Sequence, residues 1–115
     1  MAARKTVRAA PRKPSPKFPP QILALEKINA IYQSRRLTGD GCRLLFSTYA
    51  RGTTIPQHEH ATDNCGVVTS GEMHVRMDGR WRRYGPGDWY IVPKGKRHES
   101  RFARDTCEIG FWFDE

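Results

Sequence analysis

Apolar and polar residues alternate with period two through much of this chain, and glycines interrupt the alternation at short intervals. The clearest run has Met73, Val75 and Met77 set against Glu72, His74 and Arg76. Period-two alternation sends successive side chains to opposite faces, so residues 72–78 predict a half-buried strand. Comparable β-prone runs cover Leu44 to Tyr49, Thr53 to His58, Cys65 to Ser70, Arg80 to Tyr84, Trp89 to Val92, His98 to Ala103 and Thr106 to Phe113. Turn signals separate them, among them Gly52, Ser70-Gly71, Gly85-Pro86-Gly87 and Pro93-Lys94-Gly95. Asp78-Gly79 predicts a two-residue hairpin, because a type I′ turn needs positive φ at both central positions.

Ahead of the Gly39-Asp40-Gly41 turn the texture differs. Ile22, Leu25 and Ile28 fall near one helical face and predict a short helix over residues 21–28. Residues 29–35 predict a first strand, with Ala30 and Tyr32 on one face. The chain from 29 to 115 then holds about eight or nine short strands between glycine turns, an all-β pattern that predicts a small antiparallel sandwich or barrel. Closure would protect the sheet edges and create a dry interior. Phe46, Met73, Trp89, Phe111 and Trp112 are the candidate core, with one or two of them at a pocket mouth.

Length and charge refine this picture. The 115 residues suffice for one compact domain. The net charge of +8 is confined to residues 1–36, which carry nine basic residues against one acid, whereas residues 37–115 carry eleven of each. Pro11, Pro14, Pro16, Pro19 and Pro20 lie among the leading charges, and such a segment buries too little apolar surface to offset its ordering entropy. Residues 1–20 are thus expected to be a disordered basic arm, residues 21–36 a short helix and edge strand, and residues 37–115 the β-domain. The arm is expected to be a solvated tail, since no aromatic residue interleaves its charges as single-strand nucleic-acid binding would want. Nucleic acid is therefore not an expected partner.

No apolar run approaches the ~20 residues that span a bilayer, and the basic N-terminus lacks the apolar stretch of a secretory signal. Cys42, Cys65 and Cys107 are odd in number and lack paired spacing, so reduced thiols and a cytoplasmic setting are expected. No Cys-x2-4-Cys zinc-finger spacing, nucleophile elbow or Gly-rich phosphate loop is present.

The chemistry lies elsewhere. On a strand, His58 and His60 would point two imidazoles to one face, which is the beginning of a metal site. Downstream, Gly87 opens a strand, Pro93 and Gly95 turn the chain, and His98 opens the next strand. Gly52-x5-His58-x-His60 followed by Gly87-x5-Pro93-x-Gly95-x2-His98 resembles the paired motifs of the cupin family, over about residues 38–115. The resemblance implies a jelly-roll β-barrel with a divalent transition metal inside: Zn, Fe, Mn, Ni or Cu. Its ligands would be His58, His60, the residue at position 64, and His98.

The family more often has Glu, Gln or His where this chain has Asn64. Asn64 could ligate directly or through a water, or Asp63 could turn in and take its place. Cys65 is the ligand in an alternative register. Asp63 is also the candidate acid–base residue, because strand parity turns Glu59 away from the metal. His74 shares a face with Glu72 and Arg76 and is assigned no role.

By resemblance, such a site implies an enzyme acting on a small polar or anionic molecule, as a sugar-acid isomerase or lyase, or a dioxygenase. The alternative is a non-catalytic ligand-binding or regulatory module. A homodimer paired through an N-terminal strand is also implied.

Overall fold

The computed structural model describes residues 13–114. A single helical turn, α1 (Pro20–Leu23), precedes ten strands: β1 (Glu26–Asn29), β2 (Ser34–Gly39), β3 (Cys42–Tyr49), β4 (Thr54–His58), β5 (Asn64–Ser70), β6 (Met73–Met77), β7 (Arg80–Tyr84), β8 (Trp89–Val92), β9 (His98–Phe102) and β10 (Thr106–Phe113). A six-stranded sheet runs β1-β2-β3-β10-β5-β8, and a four-stranded sheet runs β4-β9-β6-β7. Every pairing is antiparallel. The expected all-β jelly-roll architecture is therefore present.

The alternation in sequence becomes the core between the sheets. Tyr49, Val68, Met73, Val75, Tyr90, Val92 and Phe102 form one buried cluster. Val68 and Val92 are fully enclosed, and each such valine contributes about 1.5–3 kcal/mol relative to exposure. The β6–β7 hairpin turns at Asp78 (φ 53°) and Gly79 (φ 75°), both positive as a type I′ turn requires.

The N-terminal third departs from expectation in three ways. The helix predicted over 21–28 is only one turn long, and residues 26–29 form β1 against β2. A segment this short cannot repay helix nucleation, whereas pairing with β2 satisfies its backbone. The strand predicted over 29–35 is mostly a turn. Asn29 Oδ1 accepts the Tyr32 N–H at 2.9 Å, and Gln33 has φ 48°. The strand itself is β2, which runs through the expected boundary at 36/37 and pairs with β3.

The expected free arm is also corrected where it is described. Phe18 packs edge-on against Phe46 with centroids 5.6 Å apart. Gln33 Nε2 donates to the Pro14 carbonyl at 2.8 Å, and the Lys17 N–H points at Cys107 Sγ at 3.4 Å. Phe18 supplies the apolar anchor that lays this segment on the outer face of the six-stranded sheet. Residues 1–12, the rest of the expected arm, lie outside the described residues.

Among the core candidates, Phe46 and Met73 are buried. Trp89 is not: it is 57% exposed, on edge strand β8, stacked on Phe111 at 5.8 Å. Both rings stand on the outer face of the six-stranded sheet, which the second sheet does not cover. Trp112, on the opposite parity of β10, faces inward and lines the central cavity.

Candidate metal centre

The two sheets part at one end, and three histidines line the opening. His58 closes β4 and His98 opens β9, and the two are cross-strand partners. His60 lies beyond the end of β4, where its carbonyl accepts the Gly95 N–H at 2.9 Å. The bond ties the His60 loop to the Pro93-Lys94-Gly95 turn and so links the two motifs. Ring centroids are 4.8 Å apart for His58 and His60, 4.3 Å for His58 and His98, and 4.9 Å for His60 and His98. Their ligand atoms fall within 4.8 Å of one another.

Backbone carbonyls orient two of the rings. His58 Nδ1–H donates to Pro56 O at 2.8 Å, and His98 Nδ1–H donates to Lys96 O at 3.0 Å. This tautomer leaves Nε2 with its lone pair, the arrangement of a ligating imidazole held by its second nitrogen. With His60 these two rings make three imidazoles, a set that suits a divalent transition metal, and their chemistry fits the expected ion.

Two of the rings, His60 and His98, also disfavour protons. Burial, then the neighbouring His58 and His98, then Arg43, lower the His60 pKa from 6.5 to about 4. His98 is lowered chiefly by burial, against the opposing contact with Lys96 O. Neutral imidazole is the form that binds metal.

The other expected site residues divide by parity. Asn64 is buried and lines the same cavity as the histidines. Its Nδ2 donates to Phe111 O at 3.0 Å and Cys65 O at 3.3 Å. That fixes the amide and leaves Oδ1 as its free acceptor. Asp63, the candidate acid–base residue, is not in the cavity. It is exposed, lies in an outer groove with Trp89 and Ile91, and accepts the Lys94 N–H at 2.8 Å. With Asn64 turned in at the start of β5, Asp63 must turn out. Cys65 faces the same outer groove, and Glu59 is exposed. His74 pairs with Glu72 at 2.7 Å, away from the cavity.

Behind the histidines the cavity extends inward with a volume of about 70 Å³. It holds a group not recognised in the sequence. Glu108, 4% exposed, accepts the Tyr49 hydroxyl at 3.0 Å and the Tyr90 hydroxyl at 2.5 Å. Burial raises its pKa, and the two hydroxyl bonds oppose the rise. Both phenols are raised well above the ordinary tyrosine value, first by burial and then by the Glu108 charge. The signal was an acid on the inward parity of β10, in register with Gly110 and Trp112. Arg43 was missed too. It is exposed and pairs across strands with Trp112, whose ring lies 5.8 Å from His60.

Comparison with known proteins agrees with this geometry. A model of the cupin domain matches residues 45–109. An uncharacterised protein of Aquifex aeolicus (strain VF5) is 27% identical over 64 residues, or 56% of this chain and 50% of that protein. The chain thus spans about half the length of the curated relative it matches. Among solved structures, KdgF from a Halomonas species has a TM-score of 0.70 at 22% identity, covering 78% of this chain and 86% of that one. An RmlC-like cupin from Shewanella frigidimarina NCIMB 400 has a TM-score of 0.72 at 18% identity, covering 90% and 94%. The DMSP lyase DddQ from Ruegeria pomeroyi DSS-3 has a TM-score of 0.61 at 26% identity, covering 67% and 40%. These structures share the fold, and the family match takes in more than half of the chain with all three histidines: the chain belongs to the cupin domain family.

Proposed function

We propose that this protein is a metal-dependent enzyme acting on a small polar or anionic molecule, with isomerase or lyase chemistry, or dioxygenase chemistry. The observation that carries the reading is the cavity itself: three imidazoles at its mouth and a buried carboxyl with two phenols behind them. A purely structural metal site would be closed by protein ligands, whereas this one opens onto space for a ligand. His58, His60 and His98 would hold a divalent transition metal, with Asn64 Oδ1 completing the set directly or through a water. The metal would supply Lewis acidity or an oxygen-binding centre. Arg43, a cation near the rim with no ion pair among the described residues, would draw a carboxylate or other anion toward the opening. Trp112 would wall one side of the ligand. Among the structural relatives, one is by name a DMSP lyase, which supports the lyase version.

The competing reading is a ligand-binding module without turnover. Protein with one equivalent of metal should isomerise or eliminate a small hydroxy acid, or consume oxygen. Fully loaded protein inert in all three assays would leave the binding module as the better account.

A homodimer belongs to the same proposal. Cross-strand register aligns Leu37, Leu44, Phe111, Cys65 and Ile91 in an uncharged strip across the outer face of the six-stranded sheet. Ile91 is 68% exposed and Trp89 stands beside it. A flat apolar strip is self-complementary under a two-fold axis, and a second copy would bury it. The wild type should sediment as a dimer and Ile91→Glu as a monomer; a monomeric wild type would remove the dimer from the proposal. Free thiols at all three cysteines are compatible with a reducing, cytoplasmic location. No helix among the described residues is long and apolar enough to cross a membrane.

A further inference from the structure

The inner face of the six-stranded sheet is layered. Asn64 and Trp112 pair in the layer at the histidine mouth. Gly66 and Gly110 pair in the next layer, with Tyr90 as the partner of Gly66 from β8. Val68 and Glu108 pair in the third. Layers two residues apart are separated by roughly 6.6 Å along the strands. Neither middle-layer glycine carries a side chain, and the Tyr90 ring occupies the space over Gly66 while the Trp112 ring lies over Gly110. A Cβ at Gly66 would overlap the Tyr90 ring, and one at Gly110 would come 2.7 Å from the Trp112 ring and 3.5 Å from the Tyr90 hydroxyl. The Tyr90 hydroxyl therefore lies between the mouth and Glu108 and bonds to Glu108 Oε2 at 2.5 Å.

We propose that Tyr90 and Glu108 form a proton relay that takes up the proton a ligand gives up on binding at the histidine site. The proposal rests on the metal-site reading above. The ligand class is a small compound with an acidic O–H, such as a hydroxamic acid or an α-hydroxy carbonyl compound. The ligand O–H bond breaks, and its proton passes to the Tyr90 oxygen, directly or through one water. The Tyr90 O–H proton passes in the same step to Glu108 Oε2. Tyr90 ends as it began, the ligand becomes an oxyanion, Glu108 becomes a neutral carboxylic acid, and no electrons change hands.

The surroundings favour this direction. The titratable groups bonded to Glu108 are Tyr49 and Tyr90. The facing strands β6 and β9 present Met73, Val75, Ser100 and Phe102 to the cavity at this depth, none of them charged. Among the described residues no cation holds Glu108 ionised, and its burial makes it a stronger base than a surface carboxylate. Tyr49 is stacked on Phe102 at 4.0 Å and is a fixed second donor.

The test uses the full chain loaded with zinc, its metal content measured first, and acetohydroxamic acid as the probe. This acid loses a proton when it coordinates a metal. Calorimetry in two buffers of different protonation enthalpy counts the protons released per ligand bound. The wild type should release almost none at neutral pH, and its infrared difference spectrum should gain the band of a protonated carboxyl. Glu108→Gln should release about one proton per ligand without that band. Tyr90→Phe, which keeps the carboxyl and removes the relaying hydroxyl, should also release about one, and it serves if Glu108→Gln does not fold. Equal proton release in wild type and Tyr90→Phe, no carboxyl band in the wild type, or failure of the zinc protein to bind the probe overturns the relay while the metal site stands. A wild type that holds no zinc overturns both, and the metal content alone reveals it.

Discussion

His98→Ala protein dialysed after loading with zinc is expected to retain almost none, while the wild type keeps close to one equivalent. His98 is half of the cross-strand pair that opens the cavity, and its ring is pre-oriented by Lys96 O. Weakening an outer contact to a ligand typically costs 10–100-fold in metal affinity, so removing the ligand itself should cost at least about 100-fold. Stability should follow. Metal at about 100 times Kd stabilises a fold by about 2.7 kcal/mol, on the order of 10–20 °C in Tm for a domain of this size. His98→Ala should lose that increment. His74→Ala, outside the cavity, should keep it. Equimolar, tightly held zinc in His98→Ala would refute the assignment.

The same site carries a pH signature without metal. The pKa of His60 is about 4 in the folded state against 6.5 for the free side chain. Between those values the unfolded chain binds more protons than the folded one, so stability rises with pH across the window. His60's contribution is intact above pH 6.5 and is lost as the pH falls toward 4. The urea midpoint of metal-free protein should fall over that range, and less so in His60→Gln. Identical pH profiles for the two proteins would contradict the shift.

The second large effect is expected at Gly66. An alanine Cβ there would overlap Cζ and the hydroxyl of Tyr90 and lie 2.5 Å from Cε2. Tyr90 is 6% exposed and tied to Glu108, so the ring has nowhere to go. Gly66→Ala should destabilise at or above the upper end of the ~1–3 kcal/mol that overpacking usually costs. Tyr90→Leu should relieve part of that loss, with a coupling of about 0.5–3 kcal/mol in a double-mutant cycle. Urea unfolding of the four proteins measures it. A Gly66→Ala midpoint equal to wild type would mean that the ring moves freely and that the layered cavity is not rigid.

How much of this was legible in the sequence depended on how local each signal is. Strands β3 to β10 were legible because alternation and glycine turns are local, and Asp78-Gly79 named its own turn type. The histidine trio was legible through motif spacing. The N-terminal elements were not, because Ile22, Leu25 and Ile28 fit a helical face as well as they fit nothing, and only pairing between β1 and β2 decides the matter. Trp89 was misread because alternation says that a residue faces one side of a sheet, not which side is covered. Where Asp63 faces was not legible, because no strand parity runs through the loop between His60 and β5, and Asn64 restarts it facing inward. Glu108 was passed over within an otherwise apolar run. An acid on the inward parity of a strand costs too much to bury without partners, so it was a site signal in plain view.

Strand order carries a further consequence. β10 is the last described strand to be synthesised, yet it lies in the middle of its sheet, between β3 and β5. Until β10 is available, β1-β2-β3 and β5-β8 are separate ribbons, and the chain lacks both Glu108 and Trp112. A nascent chain can fold its β6–β7 hairpin early, but the cavity cannot close until the final strand zips two distant partners together. Such late, long-range closure slows folding and leaves ribbon edges exposed in the meantime. The histidines are all synthesised before that moment, so metal that arrives early would meet ligands that do not yet have a cavity behind them.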